Sequence, residues 1–327
     1  MRAFSSVLFV VLLFALPEAL HADTTLEERL KKAFEKYPQA DTNKDGVLSL
    51  EEAKAFRQKM KAGKTAVEPA SEAKAKTFSQ SPGQPFEPKR GGQCLFLGHS
   101  FFIPVAKTFD ELAREMELPR HQAQFVMSGG GGGAPGRIWQ SPRHRKAATD
   151  ILQSGTIEVL GMTYYDETNC SAEDYGRWID LAAKHNPDVH IFIGMCWPDS
   201  PEATPSEFDK ILGSAADRLF KTVSKLRRTY PNLSIQFVNY GKVASELKSR
   251  HSDGALPQIE SLIGRTSESL FRDQKGHAGP MLRELAASIW LQQLYSVDVA
   301  RLQAPVAKSK EGRAILSSVA AFNEQFK

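Results

Sequence analysis

Three cysteines in 327 residues, Cys94, Cys170 and Cys196, exclude a disulfide framework. An odd number cannot pair completely within one chain. Cys94 and Cys196 sit in apolar, strand-like runs, where a thiol behaves as a small hydrophobe rather than as a ligand. Beyond residue 22 no run is long and apolar enough to cross a bilayer, so no stable membrane insertion is expected. A dense basic stripe with interleaved aromatics is also missing. With 42 Lys and Arg against 38 Asp and Glu the net charge is only +4, and no nucleic-acid partner is expected. No internal repeat is visible, and the histidines at 121, 144, 185, 190 and 251 show no metal-ligand spacing.

The first 22 residues form the one strongly apolar segment. Arg2 precedes the run Val7–Leu16, and Pro17 to Ala22 ends on a small residue before Asp23. This reads as a cleaved signal peptide over residues 1–22, and no cysteine follows to carry a lipid. The expected location is therefore secreted or periplasmic. Roughly 300 residues remain, enough for one large core and a small appendage.

The appendage carries the clearest motif, D-T-N-K-D-G-V-L-S-L-E-E from Asp41 to Glu52. Asp41, Asn43 and Asp45 offer oxygens at alternate positions, and Gly46 permits a sharp turn. Val47 offers its carbonyl, Ser49 stands where a ligand often acts through water, and Glu52 can close the site with two oxygens. Calcium is a hard cation that takes six to eight oxygens, so this pattern predicts one Ca2+ as cofactor. The bland reading is an acidic turn before a helix. Apolar residues at Leu26, Leu30, Ala33, Phe34 and Tyr37, and again at Leu50, Ala53 and Phe56, predict flanking helices. The segment resembles the EF-hand family at every loop position and gives an N-terminal module over residues 23–62. No second loop is found, so the apolar face of this unpaired hand must be covered by the other domain, by self-association or by a partner.

Residues 63–92 are rich in Lys, Ala, Ser, Pro and Gly and read as a flexible linker. After it, short apolar runs at Cys94–Leu97, Ala123–Met127, Ile157–Met162, Val189–Cys196 and Ile235–Tyr240 alternate with helical stretches at Val105–Met116, Pro142–Leu152, Ser171–His185, Ser206–Tyr230 and Gly279–Tyr295. Ser171 with Asp174 makes a capping box, and Ser141-Pro142 starts a helix well. This alternation predicts an α/β domain over residues 93–296, a parallel sheet covered on both faces, with reactive groups at the carboxyl ends of its strands. Residues 297–327 are expected to form a C-terminal helical extension.

At the end of the first strand stands Gly98-His99-Ser100-Phe101-Phe102. There Ser100 is either a helix cap or an exposed nucleophile beside a helix N-terminus. Near the far end, Phe271-Arg272-Asp273-Gln274-Lys275-Gly276-His277 puts an acid and a histidine on one loop before the long helix. His277 there is a base or a surface histidine. Ser128 and five glycines, 129–133, follow the second strand. Without the Lys and Ser/Thr of a phosphate loop they read as a turn, a lid or a source of backbone donors. Trp197, at a strand end, is a candidate sugar platform as well as a core residue.

Over residues 93–295 these features resemble the SGNH/GDSL hydrolase family. The resemblance implies a flavodoxin-like three-layer fold and hydrolysis of acyl esters, acetyl among them, on carbohydrates or lipids. In that assignment Ser100 is the nucleophile, His277 the base and Asp273 its orienting carboxylate. Oxyanion donors come from the Ser100 N–H and a glycine of the run, taken as Gly130. His99 stands where the family has Asp, and Asp273 and His277 are spaced four apart rather than three. The third strand ends Gly161-Met162-Thr163-Tyr164-Tyr165-Asp166 in place of G-x-N-D, so Asn169 or Thr163 must replace the usual asparagine. The substrate is expected to be a small acyl ester or carbohydrate. The competing expectation is a weak or inactive glycan-binding relative in which the hand serves attachment or assembly.

Overall fold

A computed structural model describes residues 30–56 and 86–327, except positions 32, 36, 54, 166 and 167. The expected signal peptide (1–22) and most of the expected linker (63–85) lie outside the described residues. The chain divides into two units, Met1–Ser79 and Gln80–Lys327.

In the first unit, residues 30, 31 and 33–35 are helical before the Asp41–Glu52 loop, and residues 50–53 and 55–56 after it. Pro38 opens a short 3-10 turn, Pro38–Ala40, because its fixed φ suits a first helical position. Ala33, Ala40, Leu48 and Ala53 are buried, with Leu30, Phe34, Tyr37 and Phe56 packed on them. These include six of the apolar positions the helical spacing selects, Leu30, Ala33, Phe34, Tyr37, Ala53 and Phe56.

The second unit is built on a five-stranded parallel sheet: β1 Gln93–Gly98, β2 Gln122–Met127, β3 Val159–Thr163, β4 His190–Met195 and β5 Ile235–Asn239, in the order β2-β1-β3-β4-β5. This is the flavodoxin-like order, and helices cover both faces, making three layers. Every strand lies within two residues of the expected apolar run. The helices are α1 Ile103–Glu115, α2 Pro135–Gln140, α3 Pro142–Leu152, α4 Ala172–His185, α5 Pro205–Thr229, α6 Lys242–Ser252, α7 Pro280–Tyr295, α8 Pro305–Lys308 and α9 Lys310–Asn323. The capping box at α4 forms as its sequence predicts, with Ser171 and Asp174 bonding reciprocally.

Side chains alternate across the sheet. Cys94, Phe96, Val159 and Phe192 join the core under α1, α6 and α7, while Leu95, Leu97, Leu160, Met162, Ile191 and Ile193 join the one under α3, α4 and α5. Gly161 lies in register between Phe96 and Phe192, and a Cβ there would meet the Phe96 ring at 2.3 Å. Its missing side chain makes room for the Phe96 ring, which packs on Trp290 of α7 at 5.5 Å.

The start of this unit differs from its compositional reading, while the expected C-terminal extension is helical. Residues 86–92, assigned to the linker, are built in: Pro88–Arg90 form a 3-10 turn, and Phe86 packs on the His190 and Tyr295 rings at 5.0 and 5.9 Å. At the other end, Ile315, Leu316 and Val319 of α9 enter the main core. The Asn323 side chain accepts the Asn239 N–H at 2.8 Å, tying α9 to the end of β5. Two short strands absent from the sequence reading, β6 Ser261–Ile263 and β7 Ser269–Phe271, pair in parallel and lead into the Asp273–His277 loop.

Candidate active site

In a sheet of this order the chain leaves β1 towards β2 on one side and returns to β3 on the other. A crevice therefore opens at the carboxyl ends of β1 and β3. Ser100 stands there, between β1 and α1. Gly98 makes the tight turn possible: a Cβ on it would meet the Phe102 ring at 2.5 Å. The Phe102 and Ile103 N–H groups both donate to the His99 carbonyl, starting α1, whose N-terminal dipole end lies next to Ser100. The Ser100 N–H has no hydrogen-bond partner among the described residues.

The second half of the site is a closed loop. Phe271 and Ala278 bridge, the Arg272 N–H donates to the His277 carbonyl at 2.7 Å, and the Gly276 N–H to the Asp273 carbonyl at 3.0 Å. Gly276 sits at φ +79, a left-handed conformation that glycine adopts without strain. The Trp197 indole N–H donates to the Gly276 carbonyl at 2.8 Å. Trp197 is only 2% exposed and stacks on Phe101 at 5.5 Å, and Phe101 meets the His277 ring edge-on at 5.1 Å. Trp197 is therefore a buried strut for this loop and not a sugar platform.

These two elements bring Ser100, His277 and Asp273 together across 177 residues of sequence. Ser100 Oγ lies 2.8 Å from His277 Nε2, and His277 Nδ1 lies 2.7 Å from Asp273 Oδ2. The other Asp273 oxygen accepts the Lys275 N–H at 3.0 Å and the His277 N–H at 3.3 Å. Burial acts to raise the Asp273 carboxyl, but the bonds from the His277 ring and from these backbone N–H groups outweigh it and hold it below its usual range. An ionised carboxylate can only accept, so in the neutral ring Nδ1 carries the proton and Nε2 is left to accept from the Ser100 hydroxyl.

His99, in place of an acid, does different work. It is 2% exposed, and its Nδ1 lies 3.1 Å from the Phe101 N–H. A backbone N–H can only donate, so Nδ1 accepts and Nε2 carries the proton and donates a hydrogen bond to the Tyr164 carbonyl at 3.0 Å. Burial pushes the ring's pKa down to about 4, keeping it neutral. His99 thus pins the Ser100 turn to the end of β3.

The expected oxyanion residues lie in different surroundings. Thr163 is fully buried, with its hydroxyl engaged to His99 Nε2 and the Tyr164 carbonyl. Gly130 is exposed at the start of a 3-10 turn, Gly130–Gly133. The glycine of that run that meets the Ser100 turn is Gly133, where a Cβ would lie 2.6 Å from Gly98 and His99. Asn169 is buried before α4, and its carbonyl accepts the Gly136 N–H at 3.0 Å.

Ser100, Asp273 and His277 line a cleft of about 400 Å³ together with Pro104, Ala278 and three arginines, Arg265, Arg272 and Arg283. Sequence reasoning missed the arginines. Arg272 adjoins Asp273 and was visible in the motif, whereas Arg283 shares the cleft only because α7 packs beside α1.

In the N-terminal unit, Asp41 accepts the Lys44 and Gly46 N–H groups at 2.7 and 2.9 Å, Asn43 accepts that of Asp45 at 3.0 Å, and Asp45 accepts that of Val47 at 2.9 Å. Glu52 reaches back across the loop: Oε1 accepts the Thr42 N–H and hydroxyl, each at 2.9 Å, and Oε2 accepts the Ser49 hydroxyl at 2.7 Å and its N–H at 3.1 Å. The Ser49 hydroxyl and N–H, then Thr42, lower its carboxyl to about 2. Lys44 and Gly46 take left-handed φ of +61 and +83. These bonds close the loop from Asp41 to Glu52, and among the described residues no three His, Cys, Asp or Glu side chains are grouped so as to hold a metal ion.

No family profile matches the chain, and no curated protein matches it. Among solved structures, the periplasmic domain of the lipopolysaccharide acetyltransferase from Salmonella ser. Paratyphi A is similar over 64% of this chain and 84% of that one, at 11% identity and a TM-score of 0.38. A likeness at that level carries no functional information. Among the described residues, no helix is long and apolar enough to cross a membrane.

Proposed function

We propose that the α/β unit is a serine ester hydrolase of the SGNH/GDSL type, with Ser100 as nucleophile. The observation that carries this reading is the continuous hydrogen-bond chain from Ser100 through His277 to Asp273 at the mouth of a cleft. As the Ser100 oxygen attacks the acyl carbonyl, its proton passes to His277 Nε2, and Asp273 stabilises the imidazolium formed. The negative charge developing on the carbonyl oxygen falls beside the unpaired Ser100 N–H and the N-terminus of α1. The same proton then goes to the departing alkoxide, leaving an acyl-serine and free alcohol. Water, deprotonated by His277, attacks the acyl-serine and releases the acid. Hydrolysis of 4-nitrophenyl acetate by the wild type, lost in Ser100→Ala at unchanged thermal stability, is the expected result. Equal turnover by both proteins would refute the assignment.

The N-terminal unit is proposed to be a lone EF-hand that binds one Ca2+. The donor set fits: every group offered by Asp41, Asn43, Asp45, Ser49, Glu52 and the Val47 carbonyl is an oxygen, and three of the six are carboxylates. The ion would supply structural cross-linking of the loop and takes no part in the ester chemistry. Export through a signal peptide at residues 1–22 completes the proposal.

A further inference from the structure

We infer that the ester this cleft takes is anionic, its alcohol part bearing a carboxylate, sulfate or phosphate group held by Arg272 and Arg283; the inference rests on the esterase reading above. The cleft is lined by three arginines and a single carboxylate, Asp273, already committed to His277 and the loop backbone. Other arginines of the unit have acidic partners, as Arg114 has Asp110 and Arg177 has Glu173. Arg272 and Arg283 have none among the described residues.

Their placement is set by the same elements that set the chemistry. Arg272 is the first residue of the loop carrying Asp273 and His277, and its backbone closes that loop. Arg283 lies in the first turn of α7, and it also borders an adjoining cleft of about 230 Å³ lined by Pro104, Lys107, Thr108, Glu111 and Met127. Pro104 and Arg283 are shared, so the Ser100 cleft continues past Arg283 to a recess where Lys107 and Glu111 offset one another. A guanidinium presents parallel N–H donors matched to the two oxygens of a carboxylate, sulfate or phosphate. The excess of arginine over carboxylate in the Ser100 cleft also draws anions towards it from solution. A neutral ester would leave this donor array to water.

The test compares two acetyl esters that differ only at C6, those of glucuronic acid and of glucose, by kcat/KM. In the wild type the acidic ester is expected to be preferred by about tenfold or more, the size of one charge-assisted hydrogen bond, with the preference shrinking as KCl is raised. Arg272→Gln and Arg283→Gln, each checked for folding, should lower the ratio, and the double variant should bring it close to one. Binding to Ser100→Ala by calorimetry gives a readout free of turnover: the glucuronate ester should bind more tightly than the glucose ester. Competition by sulfate and by phosphate ranks the anionic groups. A wild-type ratio near one, or a preference unchanged in the double variant, overturns the inference while leaving the esterase reading intact. Absence of turnover on both esters with selective binding of the acidic one does the reverse.

Discussion

Asp273→Asn isolates the step on which the proposed chemistry depends. Asparagine has nearly the shape of aspartate, and its carbonyl oxygen can still accept the Lys275 and His277 N–H groups that Asp273 accepts at 3.0 and 3.3 Å. The Asp273 bond to His277 Nδ1, at 2.7 Å, then falls to the amide NH2, which can only donate. Nδ1 must turn acceptor, the ring proton moves to Nε2, and Nε2 can no longer take the Ser100 proton across 2.8 Å. The imidazolium also loses its counter-charge. In a serine–histidine–aspartate site the combined loss is on the order of 10³–10⁴ in kcat. Stability should change little, by under ~1 kcal/mol, because the carboxyl is substantially exposed and the loop bonds are retained. Steady-state hydrolysis of 4-nitrophenyl acetate, with urea unfolding as control, measures both quantities. A variant within threefold of wild type, where roughly a thousandfold loss is predicted, would show that His277 does not work through Asp273.

Trp197→Phe removes the indole donor to the Gly276 carbonyl, at 2.8 Å, while keeping an aromatic ring beside Phe101. It should destabilise by about 1 kcal/mol and, with the neutral 4-nitrophenyl acetate that makes no use of Arg272, lower kcat more than it raises KM, since Gly276 adjoins His277; urea unfolding and steady-state kinetics together check this. His99 makes stability depend on pH. The folded ring takes its proton only near pH 4, the unfolded one at its ordinary 6.5, so the unfolded state binds the extra proton between those values. Its contribution is complete above pH 6.5 and is lost as pH falls towards 4, on the order of 3 kcal/mol, and urea unfolding of His99→Gln should show a shallower slope in that window. Glu52→Gln removes one charge from the carboxylate that spans the loop between Thr42 and Ser49. Calorimetry should show one calcium ion bound by the wild type at a Kd of ~10⁻⁴–10⁻³ M and none by the variant.

The sheet was legible because β1, β3 and β4 are short, nearly continuous apolar runs, as burial on both faces demands, and because the helix starts carry local signals such as Ser171 and Asp174. What escaped has no such local signal. β6 and β7 are three residues each, too short for a period to register. α6, K-V-A-S-E-L-K-S-R-H-S, offers few apolar positions and is held by packing on neighbours rather than by its own pattern. The meeting of Ser100 with His277 could only be inferred from position, because a contact between residues so far apart is made by the closed fold. The close approach of Gly133 to the Ser100 turn, the bond of Thr163 to His99 and the cleft arginines likewise depend on distances that spacing does not encode.

The central claim is that Ser100 is an activated nucleophile. Treating the folded protein with a fluorophosphonate, which is attacked by activated serines, and locating the adduct by peptide mass spectrometry tests it directly. The account predicts one adduct, on Ser100, absent in Ser100→Ala and strongly slowed in His277→Ala. An unlabelled wild type, or label spread over other serines with Ser100 untouched, would contradict it.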